Sequence, residues 1–217
     1  MKSLVTFVLA LLLPLTALAG SADSTPCCGT ISPAGQKLLQ TLNASNVENL
    51  WLAHLHVNWE TGEADRPGDT EYHEKSTHCS SYAAAMGERL GVYMLRPPAH
   101  SAKFLASAQA QWFQSPDGVA QGWHAVAQAQ DAQRLANGGE LVVVVYQSPN
   151  PEKPGHIAVI RPSLKSLALL QQEGPETTQA GKHNHLDWNV RDGFKGHPGA
   201  WPEGVRYFAH AVSVAAN

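Results

Sequence analysis

The apolar positions change their period near residue 140. Before it, helical spacing dominates. Leu38, Leu39 and Leu42 form one stripe behind Ser32-Pro33, a helix-start pair. Asn46 is placed to cap a second helix with Leu50, Trp51, His54 and Leu55 on its apolar side. Cys79, Ala83, Met86 and Leu90 share one face of a third, with Thr77 as its cap and Gly91 as its stop. Ser101 opens another through Trp112 and Phe113, and residues 126–136 predict one more, ended by Asn137-Gly138-Gly139. Beyond it, Leu141 to Tyr146 is a continuous β-branched run, the pattern of a strand buried on both faces. Residues 155–160 predict a second strand, 166–172 a third and 205–211 a closing one. Helices first and an antiparallel sheet second give an α+β order.

The first residues read as an address. Lys2 precedes an apolar run from Leu4 to Leu18, and Ala17-Leu18-Ala19 suits signal peptidase. This predicts a cleavable signal peptide over 1–19, a linker over 20–31 and a single domain over 32–217, with a periplasmic or secreted destination. The run is too short for a spanning helix. A net charge of −3 provides no basic field for nucleic acid.

Export makes the three cysteines informative. An odd number in an oxidising compartment leaves one thiol without an intramolecular partner. Cys27 and Cys28 can close on each other, or one can pair with Cys79. The sparse framework favours a free Cys79. At a helix start, unpaired N–H groups and the helix dipole favour a thiolate, so Cys79 is a candidate nucleophile.

Such a nucleophile needs a base, and the base an orienting group. His156 starts a strand directly after Gly155, which permits close backbone approach. His156, Ala158 and Ile160 share one face, and small Ala158 would leave room for the Cys79 helix beneath the imidazole. Glu173 ends the third expected strand, on a hairpin return that would bring it beside His156. Gln179, Asn184 and Asp187 are its rivals. His78 and Ser80, flanking the nucleophile, are placed to help hold an oxyanion through backbone N–H groups. The polar stretch 179–185, with Gln179 and Asn184, is placed to border a substrate cleft.

A polar residue, Cys79-Ser80, an aromatic at Tyr82, then Gly155-His156-Ile157-Ala158-Val159-Ile160 and Glu173-Gly174 together resemble the papain-like amidohydrolases of the CHAP type and their NlpC-like relatives. The resemblance covers roughly residues 77–181. It implies a papain-like fold with N-terminal helices packed on an antiparallel sheet. It also implies Cys79 as nucleophile, His156 as base and Glu173 as orienting carboxylate, acting on amide bonds of peptidoglycan peptides without a cofactor. The pair His78-Cys79 followed by Ser80-Ser81 departs from the usual CHAP lead, which leaves the bond cut unspecified.

Two other readings stand beside it. One is a catalytically inactive periplasmic binding or inhibitory module of the same fold, and an unidentified protein partner stays open. The other is a zinc hydrolase using His54, His56, His73, His78, His183 and His185. No HExxH or CxxC motif supports it, and rings at i and i+2 diverge on a helix.

Overall fold

The computed structural model describes residues 25–66 and 76–213. The expected signal peptide, part of the linker and His73 lie outside the described residues. Among those described, seven helices and six strands form an α+β domain. No described helix is long and apolar enough to cross a membrane.

The helices are α1 (Pro33–Asn43), α2 (Cys79–Arg89), α3 (Leu105–Trp112), α4 (Pro116–Ala120), α5 (Ala129–Gly138), α6 (Leu167–Glu173) and α7 (Val190–Phe194). The strands are β1 (His124–Val126), β2 (Leu141–Tyr146), β3 (His156–Ile160), β4 (Glu176–Gln179), β5 (His185–Asn189) and β6 (Val205–His210). They join in one sheet of order β1-β6-β2-β3-β4-β5, antiparallel throughout.

Helices cover both faces of this sheet, so the molecule has three layers. Alternation along β2 and β3 divides the core. Val143, Val145, Ile157 and Val159 face α1, α2 and α3. Val142, Val144, Ala158 and Ile160 face Ala132 and Ala136 of α5 and Val190 and Phe194 of α7. Every residue of β2 and β3 is buried, which accounts for the unbroken apolar run.

Several expected elements are corrected. The helix expected after Asn46 does not form, because Asn46, Trp51 and His54 all take positive φ, which a continuing right-handed helix excludes. The helix expected from Ser101 begins only at Leu105, after Phe104 in the left-handed region. Residues 124–126 form β1, and the helix that follows starts at Ala129. Residues 166–172 are helical: Ser166 Oγ accepts from Leu169 N–H and caps α6. The Thr77 cap is also displaced. His78 holds that position without a side-chain capping bond. Residues 26–29, expected as linker, are stitched to the domain through a bridge between Pro26 and Ser166 and a bond from Cys27 N–H to Lys165.

Two buried amides on α5 tie this seam together. Asn137 Nδ2 donates to the carbonyls of Gly29 and Ser163 at 3.2 and 2.9 Å, and its Oδ1 accepts from Ser163 N–H at 2.9 Å. Gln133 donates to Arg161 O and accepts from Glu176 N–H, joining the ends of β3 and β4. Replacing Asn137 by Leu strands several backbone groups in the interior. Asn137→Leu should lower stability by about 2–4 kcal/mol in urea denaturation. A loss under about 0.5 kcal/mol would show that the seam is not held by this amide.

Candidate active site

Cys79 is the first residue of α2, and its side chain is directed into the sheet. Cys27 and Cys28 are joined in a disulfide between neighbours, leaving Cys79 as the free cysteine among the described residues. The residue as a whole is only 6% exposed. Burial pushes its pKa up, against the opposing pull of the backbone N–H groups of Ile157, Ser80 and Cys79 itself. Of these opposing groups the strongest is the peptide N–H of Ile157, which directly follows His156. Both groups stand at the same end of β3.

Gly155 is why β3 can begin where it does. A Cβ there would collide with the carbonyl oxygen of Tyr146 and crowd Ser107 Oγ. With this clearance His156 pairs opposite Tyr146 in the β2–β3 ladder. Its ring does not lie over the Cys79 helix as the position of Ala158 suggested. Ala158 belongs to the opposite core layer. There the imidazole stacks on His197, with centroids 5.2 Å apart and planes within 10°, and meets Phe194 edge-on at 4.6 Å.

The partner of His156 is Gln179. Gln179 Oε1 lies 3.1 Å from His156 Nε2, and both residues are buried. An amide oxygen can only accept, so Nε2 carries the proton and the lone pair is left on Nδ1. Gly193 makes this contact possible, since a Cβ there would strike the Gln179 amide. Burial, first, and then His197 lower the pKa of His156 to about 4, against the hydrogen bond it donates to Gln179 Oε1. In the resting state the thiol and the imidazole are both neutral.

Glu173 does not take the orienting place. Its segment is helical, and its carboxylate pairs with Lys165 at 2.8 Å and approaches Arg191 at 3.8 Å. The same buried Lys165 ammonium pairs with Glu176 at 2.7 Å, while burial first and then the neighbouring Asp187 carboxyl raise the Glu176 pKa to about 7. Asn184 is a strut: its Nδ2 donates to the carbonyls of Val47 and Leu50, both at 2.8 Å, and its Oδ1 accepts from Gly181 N–H. Of the four candidates for the third position, Gln179 alone is hydrogen-bonded to the imidazole.

The flanks of Cys79 divide their roles. His78 is buried, with Nε2 2.9 Å from Leu55 O, so its ring anchors the chain ahead of α2. The Ser80 carbonyl accepts from Gln109 Nε2 at 3.2 Å, while its N–H points to the sulfur side. Backbone donors at this helix start are thus available to an oxyanion.

A cavity of about 410 Å³ opens at the imidazole. Thr77, His156, Gln179, Trp188 and His197 line it, with Lys182 and Lys195 among the other lining residues. Lys182 lies in the stretch 179–185 expected to border a cleft, whereas sequence reasoning missed His197, Phe194, Gly193 and Lys195; only the run of turn residues Gly193, Gly196 and Pro198 marks that region. Among the described residues, no group of three or more His, Cys, Asp or Glu side chains is arranged to hold a metal ion. Compared with known proteins, the chain matches no protein-family model and no curated protein.

The buried neutral imidazole predicts a pH dependence of stability. An unfolded His156 binds a proton below about pH 6.5, whereas the folded one resists until about pH 4. In that window the unfolded chain holds more protons, so stability falls as pH falls. Between about pH 7 and about pH 4, wild type should lose on the order of 3 kcal/mol more than His156→Gln. Denaturant titrations at several pH values measure it, and parallel losses in the two proteins would refute it.

Proposed function

We propose that this chain is an exported cysteine amidohydrolase or peptidase of papain-like architecture, with Cys79 as nucleophile, His156 as base and Gln179 as the orienting group. The observation carrying this reading is the buried His156–Gln179 hydrogen bond at the end of β3 where the Cys79 thiol lodges. The pattern supports the resemblance to CHAP-type and NlpC-like enzymes, with a neutral amide in place of the expected carboxylate.

In this mechanism His156 Nδ1 takes the thiol proton as sulfur adds to the amide carbonyl. The oxyanion accepts from backbone N–H groups at the start of α2. The imidazolium, held by Gln179, returns the proton to the leaving nitrogen as the C–N bond breaks. Water, deprotonated by His156, then adds to the thioester carbonyl, the C–S bond breaks as the imidazolium returns the proton to the Cys79 sulfur, and the acid product departs. No cofactor enters. Peptide amides of peptidoglycan are the substrate class that the export signal and the resemblance favour.

One observation favours a second reading, a binding module of the same fold without turnover: the thiol is nearly enclosed and pushed toward its protonated form. Kinetics separate the two. With a muropeptide mixture, Cys79→Ser and His156→Ala should each cut kcat/KM by at least about 1000-fold. Gln179→Ala should cost roughly 10- to 100-fold, and Gln179→Glu should raise the acidic limb of the pH–rate profile by stabilising the imidazolium. No cleavage by wild type, together with a Cys79 that iodoacetamide labels no faster than a model thiol, would leave the binding module.

The neighbours of the orienting amide are open to a separate measurement. Gly193→Ala drives a methyl group into Gln179, so it should lower kcat without loss of secondary structure by circular dichroism. Unchanged kcat in Gly193→Ala would show that the His156–Gln179 contact is not limiting.

A further inference from the structure

The cavity beside His156 is asymmetric in charge. Two ammonium groups enter its lining from different elements, Lys182 from the turn after β4 and Lys195 from the end of α7. Both residues are exposed, so their charge is held near the mouth. The one carboxylate in the lining, Asp192, is already engaged: Asn189 Nδ2 donates to it at 2.9 Å and the Arg191 guanidinium lies 3.3 Å away. His156 and His197 are both held below the ordinary imidazole range by burial, so the lysines supply the positive field at neutral pH. This happens in a chain whose net charge is −3. Gly181, Gly193 and Gly196 bring no side chains to the lining, and Trp188 is its one tryptophan. A volume of about 410 Å³ falls within the range of small-ligand sites.

We propose that Lys182 and Lys195 bind a free carboxylate of the ligand, making this an acceptor for acidic peptides and setting a carboxylate within reach of His156. The assignment of that carboxylate to a substrate, one side chain away from the amide attacked, rests on the hydrolase reading; the anion preference itself does not. Lysines at a rim act as mobile point charges on flexible stems, which suits a carboxylate delivered from solvent. A neutral isostere of the same ligand loses this attraction while keeping its shape. The preference is also screened by salt, because both ammonium groups face water.

The test compares N-acetyl-L-glutamate with N-acetyl-L-glutamine by calorimetric titration of the full mature chain, as wild type and as Cys79→Ala. The acid should bind at least about 10-fold more tightly than the amide at low salt. That advantage should shrink when salt is raised from about 20 to about 300 mM. It should vanish in the Lys182→Met, Lys195→Met double variant and survive in the corresponding double Arg variant. Equal affinities, no heat of binding from the acid, or a preference kept by the double Met variant would overturn the proposal. Because Cys79→Ala removes chemistry and keeps the cavity, a preference in that protein stands even if wild type cleaves no muropeptide. Conversely, cleavage without the preference would refute the anion site and leave the nucleophile in place.

Discussion

Strand β3 is desolvated along its whole length, and its neighbours inherit that constraint. A strand with both faces covered must send alternate side chains into two different layers. Ile157 and Val159 enter the layer of α2, and Ala158 and Ile160 that of α7. The thiol of Cys79 and the ring of His156 therefore come from opposite sides of the sheet. They share only the end of the strand, where Gly155 lets the chain come close to Tyr146 and the Ile157 N–H draws the thiol's pKa down. The chemistry of the site depends on that one strand end.

Desolvation also decides the charge state. A carboxylate beside His156 would add a second ionisable group to an interior where unpaired charge is costly. A glutamine fixes the same tautomer with no charge to bury. Burial weighs more than the Gln179 bond in setting the imidazole's proton affinity, and the stacked His197 acts in the same direction. The result is an imidazole that is unprotonated throughout the neutral range. The thiol is correspondingly reluctant to ionise, with three backbone N–H groups as its counterweight. Proton transfer between two such neutral groups would be coupled to substrate attack, with no stored ion pair beforehand.

Much of this was legible in the chain, and the misses share a physical cause. Leu141 to Tyr146 and His156 to Ile160 were read correctly because a doubly buried strand tolerates nothing else. Ser32-Pro33 and Gly139 mark helix ends through local chemistry alone. The segment after Ser166 failed because three leucines in four residues fit both periods. Ser166, a capping residue, was the discriminating signal, and Leu167 and Leu169 remain largely exposed on the resulting helix. The Asn46 region failed because positive φ at Asn46, Trp51 and His54 comes from tertiary contacts: Trp51 is wholly buried and donates from Nε1 to Trp59 O. Local pattern does not carry that information.

The candidate site was read with the same mixture. Cys79 and His156 were visible through position, one at a helix start and one behind a glycine. Glu173 was expected beside the imidazole because a carboxylate is its chemically obvious partner, and Glu173 ended what looked like a strand; the imidazole is bonded to Gln179 instead. In the fold that carboxylate answers a different need. Lys165, buried on the α6 side, requires an anionic partner; Glu173 supplies it, and Glu176, with its pKa raised to about 7, shares the contact. With these acids committed to a structural charge, a neutral amide is left to hold the base. The separation follows from topology: β4 carries Glu176 at one end and Gln179 at the other. The acid end is bound to Lys165, while the amide end arrives beside β3 at the point where Gly193 has made space. One short strand therefore separates the charge that secures the helix from the dipole that orients the imidazole.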